Sequence, residues 1–149
     1  IKGRKYIGAQ QKYFFSDVGL RNARLNFRQQ EENHIMENII HNELTARGFS
    51  VDVGVVDTMV TNTEGKRQRS QLEVDFVCQR GQVRYYIQSA LTVADETKRL
   101  QEINSLIKIK DSFIKIVVVK DYIIQWRDDS GILYIGIEDF LLNYINKMQ

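Results

Sequence analysis

The order of apolar patterns along the chain predicts an α/β fold, a mixed β-sheet flanked by helices. Three observations carry this expectation. Residues 33–47 repeat apolar side chains at helical spacing, and the three segments after them have strand-like patterning. A second helical period over residues 94–107 separates those strands from the next one. That next segment, residues 113–120, is a short and nearly continuous apolar run, as in a strand buried on both faces. Helix, strand, strand, strand, helix, strand is the alternation of a sheet with helices packed on it.

Each element has a local reason. Residues 1–32 form a lead-in. The first 12 residues read as a strand or loop continuing from something upstream, since no methionine opens the chain, and Lys12-Tyr13-Phe14-Phe15 is aromatic and strand-like. Ser16-Asp17 offers a helix cap for a short turn through Gly19, Leu20 and Ala23. In the helix over 33–47, Ile35, Ile39, Ile40 and Leu44 share a face, Asn33 is the expected N-cap, and Gly48 is a natural stop. Residues 49–56 alternate as a strand, and residues 57–70 read as a long polar hairpin connection. Residues 71–79 and 83–91 pair across the tight turn Arg80-Gly81. The second helix turns Leu100, Ile103 and Leu106 inward. After the run at 113–120, residues 122–126 and 132–135 form a hairpin across Asp128-Asp129-Ser130-Gly131. Residues 137–145 then close as a helix with Phe140, Leu141 and Tyr144 inward. The division is one domain, with a core over 33–120 and a C-terminal hairpin and helix over 121–149.

Composition narrows the class. A chain of 149 residues supports one domain with a real core, and 43% hydrophobic with 27% charged residues excludes a disordered chain. No apolar run is long enough to span a bilayer and no signal core opens the chain, so a cytoplasmic protein is expected. The single cysteine, Cys78, cannot form a disulfide framework; Phe76 and Val77 beside it predict a buried thiol, with Arg80 the one basic neighbour. A net charge of +2 does not by itself call for nucleic acid. The local cluster Lys66, Arg67 and Arg69 is a possible DNA contact, although a solvated loop is the commoner role of such a run.

Chemistry concentrates at three positions. Glu37 lies on the first long helix, Asp75 on the strand over 71–79 and Gln88 on the strand over 83–91. Gln88 and Ala90, two apart, share a face, and a hairpin places Asp75 beside them. Plainer roles exist for each: Glu37 as a first-turn carboxylate favoured by the helix dipole, Asp75 as a polar residue at a wet strand edge, Gln88 as a hydrogen-bonding core residue. His41, one turn after Glu37, reads as part of a surface pair or as a satisfied, half-buried histidine; Tyr85 and Tyr86 read as packing residues, and Trp126 as part of a hairpin core. His34 has no partner evident in the sequence.

The three positions resemble the PD-(D/E)XK nuclease superfamily, in which an aspartate and a Glu-x-Lys on the next strand, with a helical glutamate, hold magnesium and position water. Asp75 matches the first acid and Glu37 the helical one. The Glu-x-Lys slot reads Gln88-Ser89-Ala90, which lacks a carboxylate and the lysine. The amide is a poorer ligand for a hard cation, and alanine carries no charge. A further resemblance covers most of the chain. Residues 12–22, KYFFSDVGLRN, are similar to the opening of a C-terminal domain of unknown function that follows the ATPase module in bacterial and archaeal AAA+ type ATPases. The blocks ENIIHNEL at 37–44, RGF at 47–49, EVDFV at 73–77, YIQSA at 86–90 and LIKIKD at 106–111 resemble it in the same order. The resemblance implies a restriction-endonuclease-like core, an upstream domain that binds ATP, and a vestigial site at Glu37, Asp75, Gln88 and Ala90. No phosphate-binding loop occurs in these residues, so no cofactor is expected in this fragment beyond Mg²⁺ or Mn²⁺ on Glu37 and Asp75. The expected function is a non-cleaving accessory or regulatory domain that binds a protein or DNA partner. The alternatives are a residual metal-dependent DNA nuclease, with a migrated lysine such as Lys98, and a DNA-binding domain that does not cut.

Overall fold

The computed structural model describes residues 12–28, 31–61 and 65–148. The expectation for the first 11 residues lies outside these. The elements are α1 (Val18–Arg24), α2 (Glu32–Ala46), β1 (Ser50–Thr61), β2 (Arg67–Arg80), β3 (Val83–Ala90), α3 (Glu96–Lys108), β4 (Ile114–Val119), β5 (Trp126–Arg127), β6 (Leu133–Gly136) and α4 (Ile137–Asp139). A π turn (Phe140–Tyr144) and a 3₁₀ turn (Ile145–Lys147) continue α4.

The strands form one six-stranded mixed sheet in the order β1-β2-β3-β4-β6-β5. The β1/β2, β2/β3 and β5/β6 pairs are antiparallel, and β3/β4 and β4/β6 are parallel. The helix α3 makes the crossover that a parallel β3/β4 pair requires. A core of Met36, Ile40, Leu44, Phe76, Cys78, Ile87, Ile116, Ile135 and Phe140 binds α2 and the C-terminal helical turns to one face. A second core of Val74, Tyr86, Ile103, Leu106, Val117, Val119 and Tyr134 binds α3 to the other. Alternate residues of β4 divide between the two cores, which explains its continuous apolar run. Among the described residues no helix is long and apolar enough to cross a membrane.

Several boundaries differ from expectation for identifiable reasons. Residues 57–61 and 67–70 are not a loop but the far half of a long β1–β2 arm, paired in register from Asp57↔Gln71 to Thr61↔Arg67. Two-sided exposure removes the apolar alternation that would have marked them as strand. Arg67 and Arg69 therefore sit on a strand rather than in a loop. Residues 12–15 join no strand, although their side chains alternate between half-buried and exposed as a strand's would. α2 starts after Glu31, which makes no side-chain cap, so Asn33 is not the N-cap. α3 is capped by Asp95, whose carboxylate accepts the Lys98 N–H at 2.9 Å, and Leu100 faces outward, 49% exposed. Of the first hairpin segment only Trp126 pairs with β6, joined by Arg127 just after it, and Tyr122 and Ile124 are exposed. The closing helix is irregular after Asp139, although Phe140 is buried as expected.

One irregularity shapes the site. The β1/β2 register moves from Asp52↔Val77 to Gly54↔Val74, so Asp75 and Phe76 together oppose Val53. This bulge flips the alternation of β2, sending Val74 to the α3 face and Phe76 to the α2 face. Gly54 fits there because a Cβ would lie 2.6 Å from Val77 Cγ2 and 3.0 Å from Val74 Cβ. The β2/β3 ladder ends beside the bulge, at Phe76↔Ile87.

Candidate functional site

Where β2 and β3 part, the side chain of Asp75 replaces the missing ladder. Its Oδ2 accepts the Ser89 N–H at 2.9 Å, the Ser89 hydroxyl at 2.8 Å and the Gln88 Nε2 at 2.9 Å. The Asp75 N–H in turn reaches Gln88 Oε1 at 3.4 Å. Asp75 is 6% exposed, so these partners stand in for the water it has lost. The sequence placed Asp75 and Gln88 together correctly. The wet-edge role for Asp75 fails, and Gln88 is the buried hydrogen-bonding residue its plainer reading described.

The other oxygen of Asp75 meets a cation that sequence reasoning missed. Lys12 Nζ lies 3.1 Å from Asp75 Oδ1, 3.0 Å from Glu37 Oε2 and 2.5 Å from Glu73 Oε1. Two features aim Lys12 at this point. Asn38, buried on α2, accepts the Phe15 N–H at 2.8 Å and donates to the Phe15 carbonyl at 2.7 Å, as Asn42 also does at 2.8 Å. These helix amides do the work of a neighbouring strand for residues 12–15. Side chains two apart on such a segment point the same way, so Lys12 follows Phe14 inward while Tyr13 and Phe15 face out. Phe14 stacks on His41 with centroids 4.0 Å apart, and Glu37 is one turn before His41 on the same helix face. The period-two pattern Lys-x-Phe against Glu-x-x-x-His was present in the sequence, but it has meaning only once the two segments are known to touch.

The electrostatics follow from one ammonium facing three carboxylates. Burial opposes the charge of Lys12, but Glu73, Asp75 and Glu37 outweigh it and hold the ammonium above the ordinary lysine range. Burial first, and the negative charge of Asp75 second, raise Glu37 above its usual value despite Lys12. Glu102, on α3, is raised by burial and by the charges of Asp75 and Glu37. These groups line a cavity of about 600 Å³ together with Gln88, Ala90 and Lys98. Ala90 thus opens on the pocket without contributing charge, and the cation paired with the acids is Lys12 rather than Lys98.

This donor set does not fit a divalent ion as it stands. A metal such as magnesium takes carboxylate oxygens with lone pairs directed at it. Here Asp75 Oδ2 already accepts three donors, and Asp75 Oδ1 and Glu37 Oε2 face the same ammonium. Among the described residues no group of three His, Cys, Asp or Glu side chains is arranged to hold a metal ion.

Other sequence candidates lie elsewhere. Arg69 is held by Asp57 through two hydrogen bonds of 3.0 and 2.7 Å, and Lys66 and Arg67 are exposed on the same arm, away from the pocket. Tyr85 and Tyr86 are buried, and the Tyr86 hydroxyl donates to Asp111 at 2.6 Å. Cys78 is fully buried, and burial pushes its thiol up to about 12. His34 finds a partner in Glu31, three residues before it. Trp126 stacks on Tyr134 at 4.2 Å and lies under Arg99.

The chain is similar to an uncharacterized protein of Haemophilus influenzae, with 32% identity over 142 residues. The match takes in 95% of this chain and 31% of that protein, so the chain spans about a third of the length of the curated relative it matches. No family model matches the chain, and no solved structure matches it.

Proposed function

We propose that this domain is a C-terminal accessory domain of a AAA+ type ATPase, with a restriction-endonuclease-like core whose nuclease-type site does not cut. The observation that carries the reading is the Asp75 carboxylate, which is occupied by Gln88, Ser89 and Lys12 where a nuclease would present it to a metal. Ala90 supports it, since the position that matches the nuclease lysine brings no charge to the cavity wall. The ordered blocks from KYFFSDVGLRN onward support the ATPase context. So does the match to one third of a longer protein, which is what a module within a multidomain chain would give. The domain then serves its ATPase, in the cytoplasm, by holding a protein or DNA partner.

Cleavage is the direct test. Single-stranded, duplex and branched DNA are incubated with the domain and Mg²⁺ or Mn²⁺, alongside the Asp75→Ala variant. The expected result is no product from either protein. Cutting by the wild type that Asp75→Ala abolishes would overturn the reading and restore the nuclease alternative. The ATPase context is tested by reading the coding sequence upstream of Ile1 for a Gly-x-x-x-x-Gly-Lys-Ser/Thr loop. The DNA-binding alternative has less support, because Asp57 already occupies the Arg69 guanidinium. Loss of low-salt DNA retention on neutralising Lys66, Arg67 and Arg69 together would revive it.

A further inference from the structure

We infer that Lys12 is the resident cation of the acidic pocket: its ammonium takes the place a divalent ion would need among Glu37, Glu73 and Asp75, and losing that one charge converts the pocket into a divalent-cation site. The inference shares with the proposed function only the view that Glu37 and Asp75 form the acidic centre of the pocket.

Geometry supplies the argument. Three carboxylate oxygens from α2 and β2 converge on a single point, within 2.5 to 3.1 Å of Lys12 Nζ. Oxygens gathered that closely repel one another unless a positive charge sits between them. A primary ammonium meets the need with three donors, and each of the three carboxylates takes one close contact. The same converging oxygens are the hard ligands that Mn²⁺ or Mg²⁺ prefers, and the cavity of about 600 Å³ beside them leaves room for the waters such ions retain. The place of the ion is therefore taken by charge already present, and space beside it is not what is lacking. The cation is carried by a segment outside the sheet, anchored through Phe14 and the Phe15 backbone on α2. Replacing the Lys12 side chain therefore leaves the strand ladders and those anchors in place.

The experiment is Mn²⁺ binding at neutral pH, followed by loss of the free Mn²⁺ electron paramagnetic resonance signal. Wild type, Lys12→Met, Lys12→Arg and the double variant Lys12→Met/Glu73→Gln are compared. Lys12→Met keeps the length of the side chain and removes the charge; the double variant relieves repulsion if three unpaired carboxylates prevent folding. The expected result is that Lys12→Met, or the double variant, binds Mn²⁺ tighter than wild type by roughly a hundredfold or more, the scale set by removing one unit charge within about 4 Å of a bound cation. Lys12→Arg keeps the charge and stays with the wild type. Equal binding by wild type and Lys12→Met overturns the inference, and so does a lack of binding by both Lys12→Met and the double variant. DNA cleavage by the wild type would count against the proposed function, whereas the Mn²⁺ comparison reads only the role of Lys12.

Discussion

The two halves of β2 carry the same kind of interaction in opposite settings. Near its start, Arg69 pairs with Asp57 across the exposed β1–β2 arm. At the bulge, Asp75 pairs with Lys12 where the strand enters the core. Water surrounds the first pair and solvates either partner if the other is removed, so the pair adds little. The second is enclosed by α2, α3 and β3, and a missing partner there strands charge that water cannot fully reach. Identical chemistry thus decorates one end of a strand and organises the other, and burial accounts for the difference.

The largest effect should come from emptying the buried end. Asp75→Ala leaves Gln88 and the Ser89 N–H and hydroxyl without their acceptor and takes one of three carboxylates from Lys12, and should cost about 3–5 kcal/mol, read from urea unfolding. A loss no greater than that of an ordinary surface substitution would break the comparison. The bulge that re-aims Asp75 comes next. Gly54→Ala forces a Cβ against Val77 and Val74 and should cost about 1–3 kcal/mol by the same measurement.

A smaller effect sharpens the electrostatic half of the comparison. Glu37 and Glu102 have folded-state pKa values above the ordinary 4.5, so the native state binds their protons more tightly than the unfolded chain does. The stability they contribute is fully present below about pH 4.5 and is lost as pH rises through their folded values. Glu102→Gln removes one such group without touching Lys12. It should be more stable than wild type at neutral pH, with the gap in melting temperature closing as pH falls through the raised folded value toward 4.5. A gap independent of pH would mean that neither burial nor the charges of Asp75 and Glu37 raise the Glu102 carboxyl. Smallest of all, Arg69→Ala should leave the unfolding midpoint unchanged within measurement error, since both partners lie in open solvent. A clear destabilisation would show the arm to be more than a solvated ribbon.

Much of this was legible along the chain. Element order, the short helix after Asp17, the buried run of β4 and the Ile40 and Leu44 part of the α2 face follow from periods of 3.6 and 2 and from Gly and Asp at the ends, whereas Met36 rather than Ile35 or Ile39 completes that face. The pairing of Asp75 with Gln88 was legible too, because the Arg80-Gly81 turn sets the hairpin register and register sets which side chains meet. The far half of the β1–β2 arm was not, since a ribbon wet on both faces has no apolar alternation to reveal it. Leu100 was misplaced because an apolar residue at helical spacing faces inward only where a neighbour covers it.

The sequence by itself therefore determined the α/β class, the order of its elements and the meeting of Asp75 with Gln88, since these depend on local periods and on one tight turn. Only the tertiary structure decided that Lys12 is the counter-ion of the acidic centre and that a bulge opposite Val53 aims Asp75 at it. Lys12 and Asp75 are 63 residues apart, and no local period relates them. Their contact exists because Asn38, Asn42 and His41 bind the segment of Lys12 to α2 while the sheet brings β2 beneath the same helix.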